Sequence, residues 1–294
     1  MTSRIGADTL LRIMSPLSTL DEDLLRALAA NCGGAYLVGA QAPGRPYRVE
    51  DDLMLSDLGL PIALPPNNAT LLRAPHGARE FEGLEARARE FFSVSPGGGY
   101  EIWSIWPTTD LAPFGYSLFV TPCMIREPGG EPRACPPELE VAEIDGDAGI
   151  REVWSVIDEV FCEHLVPEPL WDARMLSDDY RVWVGRLDGR AVATATAYVS
   201  DGFVGIYGVA TLAEVRGCGY GEAVTWAATR CRPSLPATLQ ASEMGKTVYE
   251  RMGYRTMTTF DVWERADRSA RADISVGADP APERGLPAQR VDGP

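Results

Sequence analysis

Between Gly208 and Gly221 the chain reads G-V-A-T-L-A-E-V-R-G-C-G-Y-G, with glycines alternating at 217, 219 and 221. A β-rich run, Phe203 to Thr211, precedes this segment. After it, Tyr220, Ala223, Val224, Ala227, Ala228 and Cys231 recur at helical spacing. The chain is therefore committed here to a strand, a glycine loop and a helix. Alternating glycines let successive backbone N–H groups point into one concavity, and a helix N-terminus adds unpaired donors and partial positive charge. Such a place binds phosphate or pyrophosphate. One helix terminus contributes only ~0.3 to 2 kcal/mol to an anion, so several amides and Arg216 must act together.

Two familiar phosphate loops do not fit. There is no G-K-[ST] of a nucleoside triphosphatase, and the spacing is G-x-G-x-G rather than the G-x-G-x-x-G of dinucleotide-binding folds. For the loop taken alone, a glycine-rich turn that merely packs stays open as an alternative.

The surroundings extend the pattern. Leu139 to Ile144 alternates like a strand, and Ile150, Val153, Trp154, Ile157, Val160 and Phe161 predict a helix. Tyr180 to Leu187 and Arg190 to Val199 read as a hairpin around Asp188-Gly189. Beyond the loop come a short strand (Ala237 to Ala241), a helix around Val248 to Met252 stopped by Gly253, and a last strand from Arg255 to Trp263. The expected fold class is α/β (α+β): a mixed, mostly antiparallel sheet flanked by helices.

R-G-C-G-Y-G following V-A-T resembles the R/Q-x-x-G-x-G/A signature of the GNAT superfamily of acyl-CoA N-acyltransferases. L-Q-A-S-E-M-G-K-T-V-Y-E-R-M-G-Y, Leu239 to Tyr254, is similar to its second cofactor-side segment. The resemblance covers roughly Leu139 to Glu264. It implies that Val209, Ala210 and Thr211 pair through their backbone with the pantetheine arm of acetyl-CoA. It implies also that Arg216, Gly217, Cys218, Gly219, Tyr220 and Gly221 hold the pyrophosphate, with Glu222 in the helix behind. Ser242 stands where many relatives have Asn. Tyr249 corresponds to the tyrosine that donates a proton to the departing thiolate, a transfer for which a phenol of pKa about 10 and a thiol of about 8.5 are matched. Strand Phe203 to Thr211 has no carboxylate to serve as base, so Glu163 and His164, at the end of the first helix, are the nearest substitutes, beside a water chain. Trp154, Phe161, Trp171, Tyr207 and Trp226 are candidates to shape the acceptor pocket, and Trp103 and Trp106 share the ambiguity between pocket and core.

The implied activity is acetyl transfer from acetyl-CoA to a primary amine, with a small-molecule acceptor in first place and a protein N-terminus or lysine as the alternative. A CoA-binding sensor without turnover is a reading of another class. The six cysteines form no C-x-x-C pair and the two histidines, His76 and His164, are far apart, so no metal is expected. A net charge of −15 disfavours a nucleic-acid partner, and no apolar run is long enough for a membrane span. With no signal-peptide pattern at the N-terminus, the cytoplasm is the expected location.

Six of the twelve residues from 127 to 138 are Pro or Gly, which sets a linker between a first domain (1 to 126) and a catalytic domain (139 to 264). From Arg265 to Pro294 large aliphatic residues are too few to offset the entropy of ordering, and a disordered tail is predicted. The first half reads as strands at Val49 to Leu55, Ala69 to Arg73 and Tyr100 to Trp106, a helix from Ala78 to Phe92, and a final strand reaching Arg126. Gly115-Tyr116 before that strand parallels Gly253-Tyr254 before the last one, as in a tandem duplication with a degenerate first copy. Ala-Pro-His-Gly, Ala74 to Gly77, cannot supply the amides that three alternating glycines give, so this copy is expected to bind no CoA.

Overall fold

A computed structural model describes residues 21–59, 67–95, 98–162, 164 and 171–265. The elements of the first half are α1 (Glu22–Gln41), β1 (Tyr47–Val49), β2 (Leu53–Ser56), β3 (Asn68–Leu71), α2 (Ala78–Phe91), β4 (Tyr100–Ser104) and β5 (Ser117–Arg126). Those of the second are β6 (Glu140–Glu143), α3 (Gly146–Ile157), β7 (Tyr180–Leu187), β8 (Arg190–Ser200), β9 (Phe203–Thr211), α4 (Tyr220–Thr229), β10 (Ala237–Gln240), α5 (Glu243–Arg251) and β11 (Arg255–Arg265).

All eleven strands lie in one sheet, in the order β1-β2-β3-β4-β11-β5-β10-β9-β8-β7-β6. Two pairings are parallel, β3 with β4 and β9 with β10, and each is made by a crossover through one helix, α2 or α4. The other strands meet antiparallel, giving the mixed sheet the sequence predicts.

The terminal strands of the two halves are exchanged. β11 inserts between β4 and β5, pairing Trp263 with Ile102 on one side and with Leu118 on the other. β5 in turn pairs with β10, Met124 opposite Leu239. The cores mix accordingly. Phe203, Tyr207, Phe260 and Val262 pack with Phe81, Tyr100 and Ile102, while Ala40, Leu58 and Met124 pack with the second half.

The helix α1 has no counterpart in the sequence reading. Asp21 caps it, its carboxylate accepting from the Asp23 N–H, and Glu22 and Asp23 suit the first turn. Its middle carries glycines that lower helix propensity by about 1 kcal/mol each, and it is buried nearly all round, so no amphipathic stripe marks it. Those glycines are needed for contact. A Cβ on Gly33 would lie 2.9 Å from the Thr70 Cβ, and one on Gly34 would lie 2.8 Å from the Tyr198 ring. From this close approach Asn31 reaches the far strands: its Nδ2 donates to the Ser200 Oγ (2.9 Å) and its Oδ1 accepts from the Tyr207 hydroxyl (2.7 Å). On the opposite face of the sheet α2 continues into Phe92, which stacks on Tyr100 at 4.4 Å.

Other boundaries differ locally. Val49 to Leu55 is not one strand but the β1–β2 hairpin, turned where Glu50, Asp51 and Asp52 disfavour extension. The helix α5 begins five residues before Val248 because Ser242 caps it, the hydroxyl accepting from the Gly245 N–H at 3.2 Å. Arg265, placed in the tail by composition, is the last residue of β11, where its partners are Tyr100 across the strand pair and the Tyr116 ring. The predicted disorder from 266 onward lies outside the described residues.

Candidate functional site

The ladder between β9 and β10 runs from Val204–Ala237 to Ile206–Leu239 and stops there. β9 continues to Thr211, so Tyr207 to Thr211 have β8 on one side and no strand on the other. The divergence is reinforced within β9. Residues Gly208 and Val209 form a bulge opposite Ala195, and the Thr194 hydroxyl donates to the Gly208 carbonyl at 2.8 Å. β5 also runs past the end of β10, which leaves a slot between the two longer strands.

The glycine loop closes one end of this slot. Gly217 (φ +83°) and Gly219 (φ +86°) are left-handed, a conformation that L side chains resist, and Gly219 leads directly into α4. No atom lies within 4 Å of where a Cβ on Gly217 would sit, and only Pro136 lies near that of Gly219, at 3.7 Å. The space beside the amides is therefore open, which is the fit a pyrophosphate requires. Arg216 is folded back, its Nε donating to the Thr211 carbonyl at 3.1 Å, and so ties the loop to the end of β9. Tyr220 points elsewhere: its hydroxyl donates to Glu138 at 2.8 Å, and this bond holds the phenol up at about 12.

A cavity of about 1310 Å³ joins the slot, the loop and an inner chamber. Val209, Ala210, Thr211, Ser242 and Tyr249 line it together with the whole run from Arg216 to Glu222. Three cations unflagged by the sequence join Arg216 there: Arg133 from the Pro/Gly segment, and Lys246 and Arg251 from α5. Against these four cations stand the carboxylates Glu222 and Glu243 among the described lining residues. Glu222 lies between Arg133 (3.9 Å) and Arg251 (3.8 Å), so it gathers both at the head of α4. The excess of positive charge in a protein of net charge −15 marks this end for an anion.

Tyr249 is packed edge-on to Tyr254 with ring centroids 6.0 Å apart, and burial raises its phenol to about 12. That departs from the matched pair of pKa values assumed from sequence. A phenol so held stays protonated and donates a hydrogen bond far more readily than it gives up its proton. Ser242 is engaged as the cap of α5.

Of the two sequence candidates for a base, His164 is among the described residues. His164 (φ +61°) is exposed, its Nδ1 2.7 Å from Asp158 Oδ2, and it is not among the residues lining the cavity. Glu163 lies outside the described residues. The aromatics divide more cleanly. Trp154, Phe161, Trp171, Tyr207, Trp226 and Trp103 all line the cavity. Trp106 does not, and its indole donates to Glu22 at 3.2 Å. Tyr36, on α1, lines the cavity as well, and the sequence carried no signal for it once that helix was missed.

In the first half, Arg73 and the N–H of His76 both donate to Glu80, whose carboxyl is thereby held below its usual range. A side-chain carboxylate thus occupies the start of α2, and no residue of α2 is in the lining of the large cavity.

A divergent strand pair beside a cationic, glycine-lined helix start defines an α/β domain built to hold an extended ligand with an anionic end. Residues 149–254 match the acetyltransferase (GNAT) family, and this part of the chain is a GNAT domain. No curated protein matches the sequence. Among solved structures, a GCN5-related N-acetyltransferase from Kribbella flavida is 18% identical with a TM-score of 0.56, over 81% of this chain and 97% of that one. A GCN5-related N-acetyltransferase from Sphaerobacter thermophilus is 14% identical with a TM-score of 0.50, over 81% and 93%. A functionally unknown conserved protein from Staphylococcus epidermidis has a TM-score of 0.51 at 13% identity, over 75% and 93%. At these identities the likeness is one of fold, and it extends over both halves of the chain. No helix among the described residues is long and apolar enough to cross a membrane.

Proposed function

We propose that the protein is an acetyl-CoA-dependent N-acetyltransferase acting on a primary amine of a small molecule. The observation that carries this is the continuity of one cavity from the amides of Gly217 to Gly221, along the unpaired edge of Tyr207 to Thr211, to the aromatic side chains of Tyr36, Trp103 and Tyr207. A pyrophosphate fits the open space at Gly217, with Arg216, Arg133 and Arg251 lining the same cavity. The free backbone of Val209 to Thr211 then aligns an amide-bearing arm as an added strand would be aligned. Acetyl-CoA, when bound, supplies an activated thioester carbonyl.

The chain's part in the chemistry is positioning and charge. A neutral amine nitrogen forms the C–N bond as the C–S bond breaks, its proton passes to water, and the departing thiolate takes a proton from water to end as a thiol. Tyr249 is the hydrogen-bond donor for the sulfur as it gains charge, and the burial that keeps its proton in place keeps the donor present at every physiological pH. The wall of aromatic rings excludes water from the carbonyl and lowers hydrolysis.

Isothermal titration with acetyl-CoA, followed by thiol release with amines present, tests the reading. Binding with amine-dependent thiol release is the expected result. Binding without release for any amine would favour a sensor, and no binding would overturn the assignment.

A further inference from the structure

The inner chamber has a composition unlike the rest of the cavity. Tyr36 from α1, Trp103 from β4 and Tyr207 from β9 meet there, with Tyr36 centred 6.2 Å from Trp103 and 5.9 Å from Tyr207. Trp171 closes the side toward the donor strand, lying against Gly208, where a Cβ would come within 2.9 Å of the indole. Two of these rings turn their polar atoms into the protein: the Trp103 N–H donates to Glu101 at 2.7 Å and the Tyr207 hydroxyl to Asn31 at 2.7 Å. What Trp103 and Tyr207 present inward is ring carbon. Leu58, Met175 and Tyr180 line the cavity as well, and the two carboxylates of its described lining, Glu222 and Glu243, sit on α4 and α5.

A polycation entering this chamber would lose hydration with no counter-charge to meet it. A flat apolar body gains burial and edge-to-face contact with the rings. An amine attached directly to an aromatic ring is in addition neutral near pH 7, so it attacks without a protein base. On the reading above, we infer that this chamber is the acceptor site, that it takes an amine carried on an aromatic body, and that Tyr36 and Trp103 of the first half determine its specificity. The two halves then divide the work, the second holding the donor and the first selecting the acceptor. The exchange of β5 and β11 fixes one against the other.

The experiment compares aniline, 2-phenylethylamine, spermidine and a lysine-containing peptide as acceptors for the full-length protein, with acetyl-CoA as donor and thiol release as readout. The two aromatic amines are expected to show kcat/KM on the order of tenfold or more above the others. Tyr36→Ala and Trp103→Leu should raise KM for 2-phenylethylamine on the order of tenfold while calorimetric affinity for acetyl-CoA holds, which also reports that each variant is folded. Tyr36→Phe, which keeps the ring, should restore the low KM. Preference for spermidine or the peptide, or an unchanged KM in Tyr36→Ala, would overturn the inference. Acetyl-CoA binding without turnover of either aromatic amine overturns it while the donor site stands, whereas failure to bind acetyl-CoA removes both.

Discussion

Glu101 offers a test of the first half that depends on charge rather than on shape. It is 4% exposed, on β4 behind Trp103, and burial raises its carboxyl to about 7, aided by Glu264 directly across the strand pair and opposed by the Trp103 N–H. Cys32 and Tyr36 are the other titratable groups near it. The native state therefore holds a proton that the unfolded chain, titrating near 4.5, has released. Stability from this group is full below pH 4.5 and is lost as pH rises through 7. The gap of about 2.5 units corresponds to about 3 kcal/mol of destabilisation once both states are ionised. Glu101→Gln keeps an acceptor for the indole and removes the charge, so it should stabilise the protein by roughly 2 to 3 kcal/mol at pH 8 and by about nothing at pH 4.5. Urea unfolding at pH 4.5, 6, 7 and 8 measures the difference through the midpoint at constant slope. A difference that does not grow with pH, or a variant less stable than the parent at pH 8, would refute the argument.

Other expectations follow from the site. Gly219→Asp should abolish calorimetric binding of acetyl-CoA while circular dichroism stays native, since a carboxylate there meets the phosphate charge and left-handed backbone costs an Asp only about 1 kcal/mol. Tyr249→Phe should leave acetyl-CoA affinity intact and lower kcat on the order of ten- to a hundredfold, the size of a hydrogen bond to a charged atom; an undiminished kcat with chemistry rate-limiting assigns the hydroxyl no role. Asn31→Ala leaves the Tyr207 hydroxyl without its acceptor and should cost about 1 to 3 kcal/mol in urea unfolding, with a raised KM for the amine. Expressing residues 127–294 alone should give an aggregating product in size-exclusion chromatography, because β11 loses both neighbours and β10 loses β5.

Much of the glycine-loop side of the cavity was written in local sequence. A strand, a loop with glycines at alternate positions and a helix declare themselves through backbone rules that act within a few residues, so Phe203 to Thr211 and Gly217 to Gly221 could be placed from the sequence alone. The hairpin at Asp188-Gly189 and the crossover helix α4 are of the same kind. How the aromatic part of the cavity is assembled was not legible, although Trp103 and Tyr207 could be named as candidates, for two physical reasons. The helix α1 is made of small residues that serve close packing, so Gly33 and Gly34 erase the propensity and periodicity by which a helix is read, and Tyr36 disappears with it. The exchange of β5 and β11 is a choice among nearly equivalent antiparallel partners, decided by which side chains meet across the whole sheet. Local sequence carries no record of that choice, yet it is what brings Trp103 and Tyr36 against Tyr207 and makes one cavity out of two halves.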